Sequence, residues 1–216
     1  MSREVQVRFY ESGGVRSPSA TRRNIYVKSL TAGERVMKTV TNFIEQKLKL
    51  KVNREKSAVD HVWNRKFLGH RFLPQGKLAI APKSLKAVKD KIRSLTKRSL
   101  GRSIEKVVDR LNSYLTGWVT YYRHAQVGTH LKALDSWIAS RLRCYRLKQC
   151  KNPETVTEYL IARGIPREIA WGLTMGIHGW WELATANTVT RAMGKGWLEE
   201  LEVENLYNRY QALKHQ

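Results

Sequence analysis

The sequence predicts an α+β fold, a short α/β segment followed by a mainly α-helical one. Period-two apolar alternation is confined to the stretch before Pro82, and from Pro82 onward apolar residues recur at helical spacing. The hydrophobic fraction over 216 residues is 42%, enough for a sizeable core in one large domain or two smaller ones. Four segments follow: a poorly defined lead-in over 1–23, an α/β segment over 24–81, a helical region over 82–150 and a second helical region over 151–216.

Within the lead-in, Val5, Val7 and Phe9 alternate, and Gly13, Gly14, Ser17, Pro18 and Ser19 follow. This composition reads as a frayed strand with turns and little capacity to bury itself. IYVKS reads as a short strand, and Val36, Met37, Val40, Phe43, Ile44 and Leu48 mark a helix over 32–48. LKLKVN then sets Leu48, Leu50 and Val52 against lysines as a second strand, and KSAVD and RKFLGHRFL add more. A sheet begun at Ile25 has few residues before it to supply neighbours, so an edge or face is expected to be exposed or paired with another chain.

After Pro82, Leu85, Val88, Ile92 and Leu95 form an apolar stripe. Gly101 interrupts this helix, Ser103 is the N-cap of the next, and Ile104, Val107, Val108, Leu111, Leu115, Trp118, Val119 and Tyr122 give its buried face. Gly128 opens a third helix with Leu131, Leu134, Ile138, Leu142 and Tyr145 on one face beside Trp137. Asp135 is expected to pair with a basic side chain on an adjacent turn. Pro153, Gly164 and Pro166 divide the remainder into short helices, whose Trp171, Trp180, Trp181 and Trp197 read as small cores.

Charge narrows the partners. Forty Lys and Arg against 18 Asp and Glu give a formal charge of +22, a surplus that points to a polyanion. Residues 83–102 hold Lys83, Lys86, Lys89, Lys91, Arg93, Lys97, Arg98 and Arg102 against Asp90, and residues 141–151 hold Arg141, Arg143, Arg146, Lys148 and Lys151 against no acid. Such side chains reach successive phosphates while their stems cover apolar surface. Tyr114, Tyr121, Tyr122, Tyr145 and Arg123 add stacking groups suited to unpaired bases of folded RNA. Charge alone does not separate RNA from DNA.

Enzyme signatures are weak. His61, His70, His124, His130, His178 and His215 have no metal-ligand spacing, and no GxSxG or phosphate-cradling Gly-Lys motif occurs. No catalytic residue, metal site or cofactor is therefore assigned. Cys144 and Cys150 read as two reduced thiols. No apolar run is long enough to span a membrane and the amino terminus is too charged for a secretory signal, so a cytoplasmic protein is expected.

FLGHRF, IAPKSLKAVKDKIRSLTKR, GRSIEKVVDRLNSYLTGWVTYYRHA, LDSWIASRLRCYRLKQCKNP and GIPREIAWGLTMGIHGWWELA occur in that order. Together they resemble the thumb and maturase-specific region of group II intron-encoded reverse transcriptases, over roughly residues 24 to 212. The resemblance implies that 24–81 ends a polymerase palm and that the helices after it form a thumb and an intron-RNA-binding maturase domain. It implies a duplex-facing or supporting role for the 83–98 helix and for Asn112, Gly117, Trp118, Tyr121 and Tyr122, and an RNA surface at Arg141, Arg143, Lys148 and Lys151. The candidate RNA contacts are Lys86, Lys89, Arg93, Lys97, Arg98, Tyr121, Tyr122, Arg123, Arg141, Arg143, Arg146, Lys148 and Lys151. Joint alanine replacement of Arg141, Arg143 and Lys148 is expected to weaken RNA binding without unfolding the chain.

Before IYVKS a family polymerase would carry a tyrosine, a variable residue and paired metal-binding aspartates, but SPSATRRN stands there. The resemblance therefore implies a truncated, noncatalytic maturase-like protein that binds structured group II intron RNA and stabilises it for splicing. Two alternatives remain: the C-terminal subunit of a split RNA-directed DNA polymerase, partnered by a separate palm and fingers chain, and a retroelement remnant with only nonspecific RNA binding.

Overall fold

A computed structural model describes residues 5–12, 22–64, 66–73, 76–177 and 179–214, in two compact units, residues 1–81 and 82–216. The turn-rich residues 13–21, His178 and His215 lie outside the described residues. The fold is α+β and mainly helical.

The first unit corrects the reading of the lead-in. Strand β1 (Val5–Ser12) is the central strand of a four-stranded sheet. It pairs antiparallel with β2 (Arg22–Val27) on one side, and with β3 (Lys51–Val52) and β4 (Ala58–His61) on the other. Val7 lies opposite both Ile25 and Val59 and is fully buried. Composition missed this because a strand's partners are remote in sequence, and pairing rather than local propensity orders it. The chain itself thus supplies Ile25 with a neighbour.

Helix α1 (Leu30–Asn42) is capped by Ser29, whose hydroxyl accepts from the Ala32 N–H at 3.2 Å, and it packs against β1, β2 and β4. It runs into a π-helical stretch, Phe43–Lys47, and Lys49 then takes a left-handed φ of 54°. The strand expected from Leu48 is accordingly confined to Lys51 and Val52, with Leu48 and Leu50 exposed. A second antiparallel sheet follows, β5 (Lys66–Phe67), β6 (His70–Phe72) and β7 (Leu78–Ile80). Leu68 and Gly69, both at positive φ, make its first turn.

The second unit is built on helices α2 (Pro82–Leu95), α3 (Ile104–Tyr121) and α4 (Gly128–Gln149). Ser103 caps α3 by accepting from the Lys106 N–H. In α5 (Pro153–Ala162), Asn152 is the cap and Pro153 occupies the first turn, where its missing N–H costs no hydrogen bond. The chain ends in α6 (Arg167–Gly176), α7 (Trp180–Thr185), α8 (Asn187–Ala192), α9 (Lys195–Glu200) and α10 (Leu206–Lys214). Trp197 is buried and donates its indole N–H to the Tyr159 hydroxyl, whereas Trp171 and Trp181 are exposed and form no core.

Helix α4 is the axis of this unit. Leu142, Arg143, Cys144 and Tyr145 are all buried, and four consecutive helical residues cover every face of the helix. Short helices packed around it must satisfy their terminal backbone groups, and two charged side chains of α4 do so. The guanidinium of Arg143 donates to the carbonyls of Ala184 at 3.0 Å and Met193 at 3.2 Å, near the C-terminal ends of α7 and α8, and to the Ser140 hydroxyl. Arg143, an expected RNA contact, is therefore corrected to an interior anchor. Its 5% exposure leaves no face for a phosphate.

Asp135 is corrected as well. Its carboxylate oxygens accept from the N–H groups of Leu206 at 3.0 Å and Tyr207 at 3.1 Å, capping α10 instead of pairing with a basic side chain. Asn112 works similarly on the bend before α10. Its amide donates to the Glu202 carbonyl at 2.7 Å and accepts from the Glu204 N–H at 3.0 Å, while Glu202 takes a left-handed φ of 55°. Both polar groups of Asn112 are engaged by this bend.

Two outcomes follow. Arg143→Ala leaves two carbonyls without their charged donor and should destabilise the protein by roughly 3 kcal/mol, against less than about 0.5 kcal/mol for exposed Lys148→Ala. Chemical denaturation of the two variants checks this. Burial raises the pKa of Asp135 above its ordinary 3.8, against the lowering effect of the Leu206 and Tyr207 N–H groups. Between 3.8 and the raised value the folded chain binds more protons than the unfolded one, so this contribution is full below 3.8 and is lost as pH rises through the folded pKa. The thermal midpoint of the parent relative to Asp135→Asn should fall as pH rises from about 3 to 6. A difference that grows with pH would contradict the assignment.

Candidate nucleic-acid interface

Helix α2 separates its roles by face. Val88 and Ile92 are fully buried, while Lys86, Lys89 and Arg93 follow at intervals of three and four residues and share one stripe, with Lys97 just past the helix end. At 1.5 Å per residue the stripe is about 10 Å long. Lys86, Arg93 and Lys97 are exposed and Lys89 is half-buried. One acid interrupts the run, since Asp90 bonds the Arg93 guanidinium at 2.6 Å with both side chains exposed, a pair worth little to stability.

Arg141 joins α4 to the end of this helix. Its guanidinium donates to the Thr96 hydroxyl and to the carbonyls of Arg93 and Thr96, both at 3.3 Å. These are terminal carbonyls of α2, where a cation is favoured by the helix dipole. Thr96 is itself buried and donates its hydroxyl to the Ile92 carbonyl. Burial, then the neighbouring Arg93 and Arg98, push the Arg141 pKa below its ordinary value. Half-buried Arg141 holds the end of α2, and Arg143 is buried, so the expected joint replacement of Arg141, Arg143 and Lys148 would disrupt the fold. Trp137 is close to both cations, its ring 5.3 Å from the Arg93 guanidinium carbon and 5.2 Å from that of Arg141.

The remaining candidates fall in several environments. Arg98 is exposed and approaches the Cys144 thiol at 3.7 Å. Burial raises the pKa of that thiol despite Arg98 and Arg141, and both cysteines are free. Tyr121 is exposed, but Tyr122 is only 6% exposed and packs edge-on against it with ring centres 4.8 Å apart. Tyr122 is therefore corrected from a base-stacking group to a core aromatic, also 4.8 Å from Trp118. Arg123 is exposed and donates to His124 Nε2 at 2.9 Å. Arg146 is half-buried with its guanidinium over the Tyr159 ring at 4.7 Å. Lys148 and Lys151 are exposed beyond it.

Cationic groups outside the candidate set also join aromatic rings: Lys91 lies 5.9 Å from the Tyr114 ring, and Lys132 lies 4.3 Å from that of Tyr207. Lys132 stands alone in the first half of α4, so charge density did not single it out; its aromatic partner is 75 residues away in the sequence. Among the described residues no group of three His, Cys, Asp or Glu could hold a metal ion. No helix among them is long and apolar enough to cross a membrane.

A comparison with curated proteins returns no match. The family model described as group II intron, maturase-specific domain matches residues 85–160. That segment holds the basic stripe of α2, all of α3 and α4, and most of α5. Over residues 85–160 the chain is thus similar to the group II intron maturase-specific domain.

Proposed function

We propose that this chain is a noncatalytic, maturase-like RNA-binding protein that grips structured group II intron RNA and stabilises it for splicing, the RNA itself carrying out the phosphoryl transfers. The observation that carries the reading is the α2 stripe of Lys86, Lys89 and Arg93, with exposed Lys97 just past its end, inside the segment similar to the maturase-specific domain. The stripe is held by Arg141, so the cations that reach outward are distinct from those that build the fold. Lysine and arginine on such a stripe neutralise phosphates and release counterions, which supplies affinity without reading sequence. Exposed Lys148 and Lys151 extend the same chemistry past the end of α4.

A second reading, in which the first unit docks against a separate polymerase palm and fingers chain, draws support from exposed Leu30, Phe43, Leu48, Leu50 and Leu68. Copurification with such a chain and primer extension by the mixture would favour it.

The first reading is tested with purified protein, a folded group II intron RNA and an unrelated structured RNA of equal length, titrated across salt. Preference for the intron RNA should survive at high salt, and the protein should accelerate splicing of the cognate intron. Equal affinities that collapse together would leave only a polyanion binder. Joint replacement of Lys86, Lys89 and Lys97 by alanine should lower affinity and reduce the slope of log affinity against log salt by about 2 to 3, with the fold intact. An unchanged slope would place the surface elsewhere.

A further inference from the structure

Between α2 and α4 lies an open cleft of about 230 Å³, lined by Leu85, Lys89 and Arg93 on one side and His130, Ala133, Leu134 and Trp137 on the other. The bonded pairs advance in the same direction along both helices, Arg93 with Trp137 and Thr96 with Arg141, and the cleft opens on the side toward Leu85 and His130. The Arg141 bonds to the end of α2 fix the separation of the helices there, so the cleft stands preformed. Its lining combines aliphatic and aromatic side chains with Lys89, Arg93 and His130, and no acid lines it. Asp90 engages Arg93 but is not part of the lining.

An occupant must offer a flat or apolar body to Leu85, Ala133 and Trp137, and negative charge to Lys89 and Arg93. A nucleotide has both. An uninterrupted RNA duplex does not, because its bases are stacked inside and its minor groove is shallow. A duplex could lie along the lysine stripe and leave the cleft empty.

We propose that the α2–α4 cleft receives a single unpaired nucleotide of the bound RNA, its base against Leu85, Ala133 and Trp137 and its adjoining phosphates at Lys89 and Arg93. This rests on the RNA-binding reading above and adds to it a preference for RNA with an extruded base. Ala133 is exposed, so a larger side chain there can enter the cleft without displacing the core and without removing a cation.

The test uses the full chain and two hairpin RNAs identical except for one bulged nucleotide, 2-aminopurine in the bulged form. The parent should bind the bulged RNA about tenfold or more tightly than the uninterrupted one, the order expected for one stacked base, and binding should change the 2-aminopurine fluorescence. Ala133→Phe should abolish both the preference and the fluorescence change while keeping the parent's affinity and salt slope for the uninterrupted hairpin. Ala133→Leu, a smaller intrusion, should reduce both in part, and it stands in if the phenylalanine variant melts early.

Equal affinity of the parent for the two hairpins would overturn the cleft assignment and leave RNA binding by the stripe intact. Failure to bind either hairpin or folded intron RNA would instead remove the reading on which it rests. Retention of the bulge preference by well-folded Ala133→Phe would also overturn it. So would tight, Ala133-dependent binding of an acidic, tryptophan-containing peptide in a protein indifferent to the bulge.

Discussion

The second unit depends on charged side chains of α4 that bind the backbone ends of other helices. Arg143 takes carbonyls at Ala184 and Met193, Asp135 takes N–H groups at Leu206 and Tyr207, and Arg141 takes carbonyls at Arg93 and Thr96. Packing short helices around one axis brings many terminal peptide groups out of water, and each such group left without a partner costs about 1–3 kcal/mol. With these ends satisfied, the apolar faces of α3, α4 and α10 close over Leu111, Leu115, Leu131, Leu134, Leu142 and Leu206, all nearly or fully buried.

This constraint divides a very basic chain into cations that build and cations that remain for a partner. Arg143 has its donors committed to the interior, and Arg141 lies between the two classes. The exposed lysines of α2 carry the same formal charge as these arginines but contact solvent, and their long stems can lie along the helix while the ammonium groups reach outward. Guanidinium suits the buried positions because its planar fork supplies several donors in fixed directions, which an ammonium group cannot match. The arrangement explains how a chain of +22 holds a compact core: the surplus stands mainly at the surface, where water screens it.

Much of the second unit was legible in the sequence. The apolar stripe of α2, the Ser103 cap, the break at Gly128 and the division at Pro153 are local signals, set by residues within one or two turns. The basic stripe was legible for the same reason. Arg143 was misread because nothing within its own helix shows that its acceptors lie 41 and 50 residues downstream. Asp135 was misread similarly, its partners lying 71 and 72 residues away. Strand β1 was undervalued because its order comes from β2, β3 and β4 on either side. The cleft beside Trp137 depends on how two helices are set against each other, and neither helix alone contains it.

On the proposed reading, RNA meets the α2 stripe and the first half of α4, while buried Arg143 serves the fold. Hydrogen exchange of the full chain, free and bound to folded group II intron RNA, with ultraviolet cross-linking of the same complex, tests this most directly. Slowed exchange is expected across 85–97 and 129–137, with cross-links at or beside Lys89, Arg93 and Trp137. Protection and cross-links confined to the exposed tryptophans of α6 and α7, Trp171 and Trp181, with α2 unchanged, would contradict it.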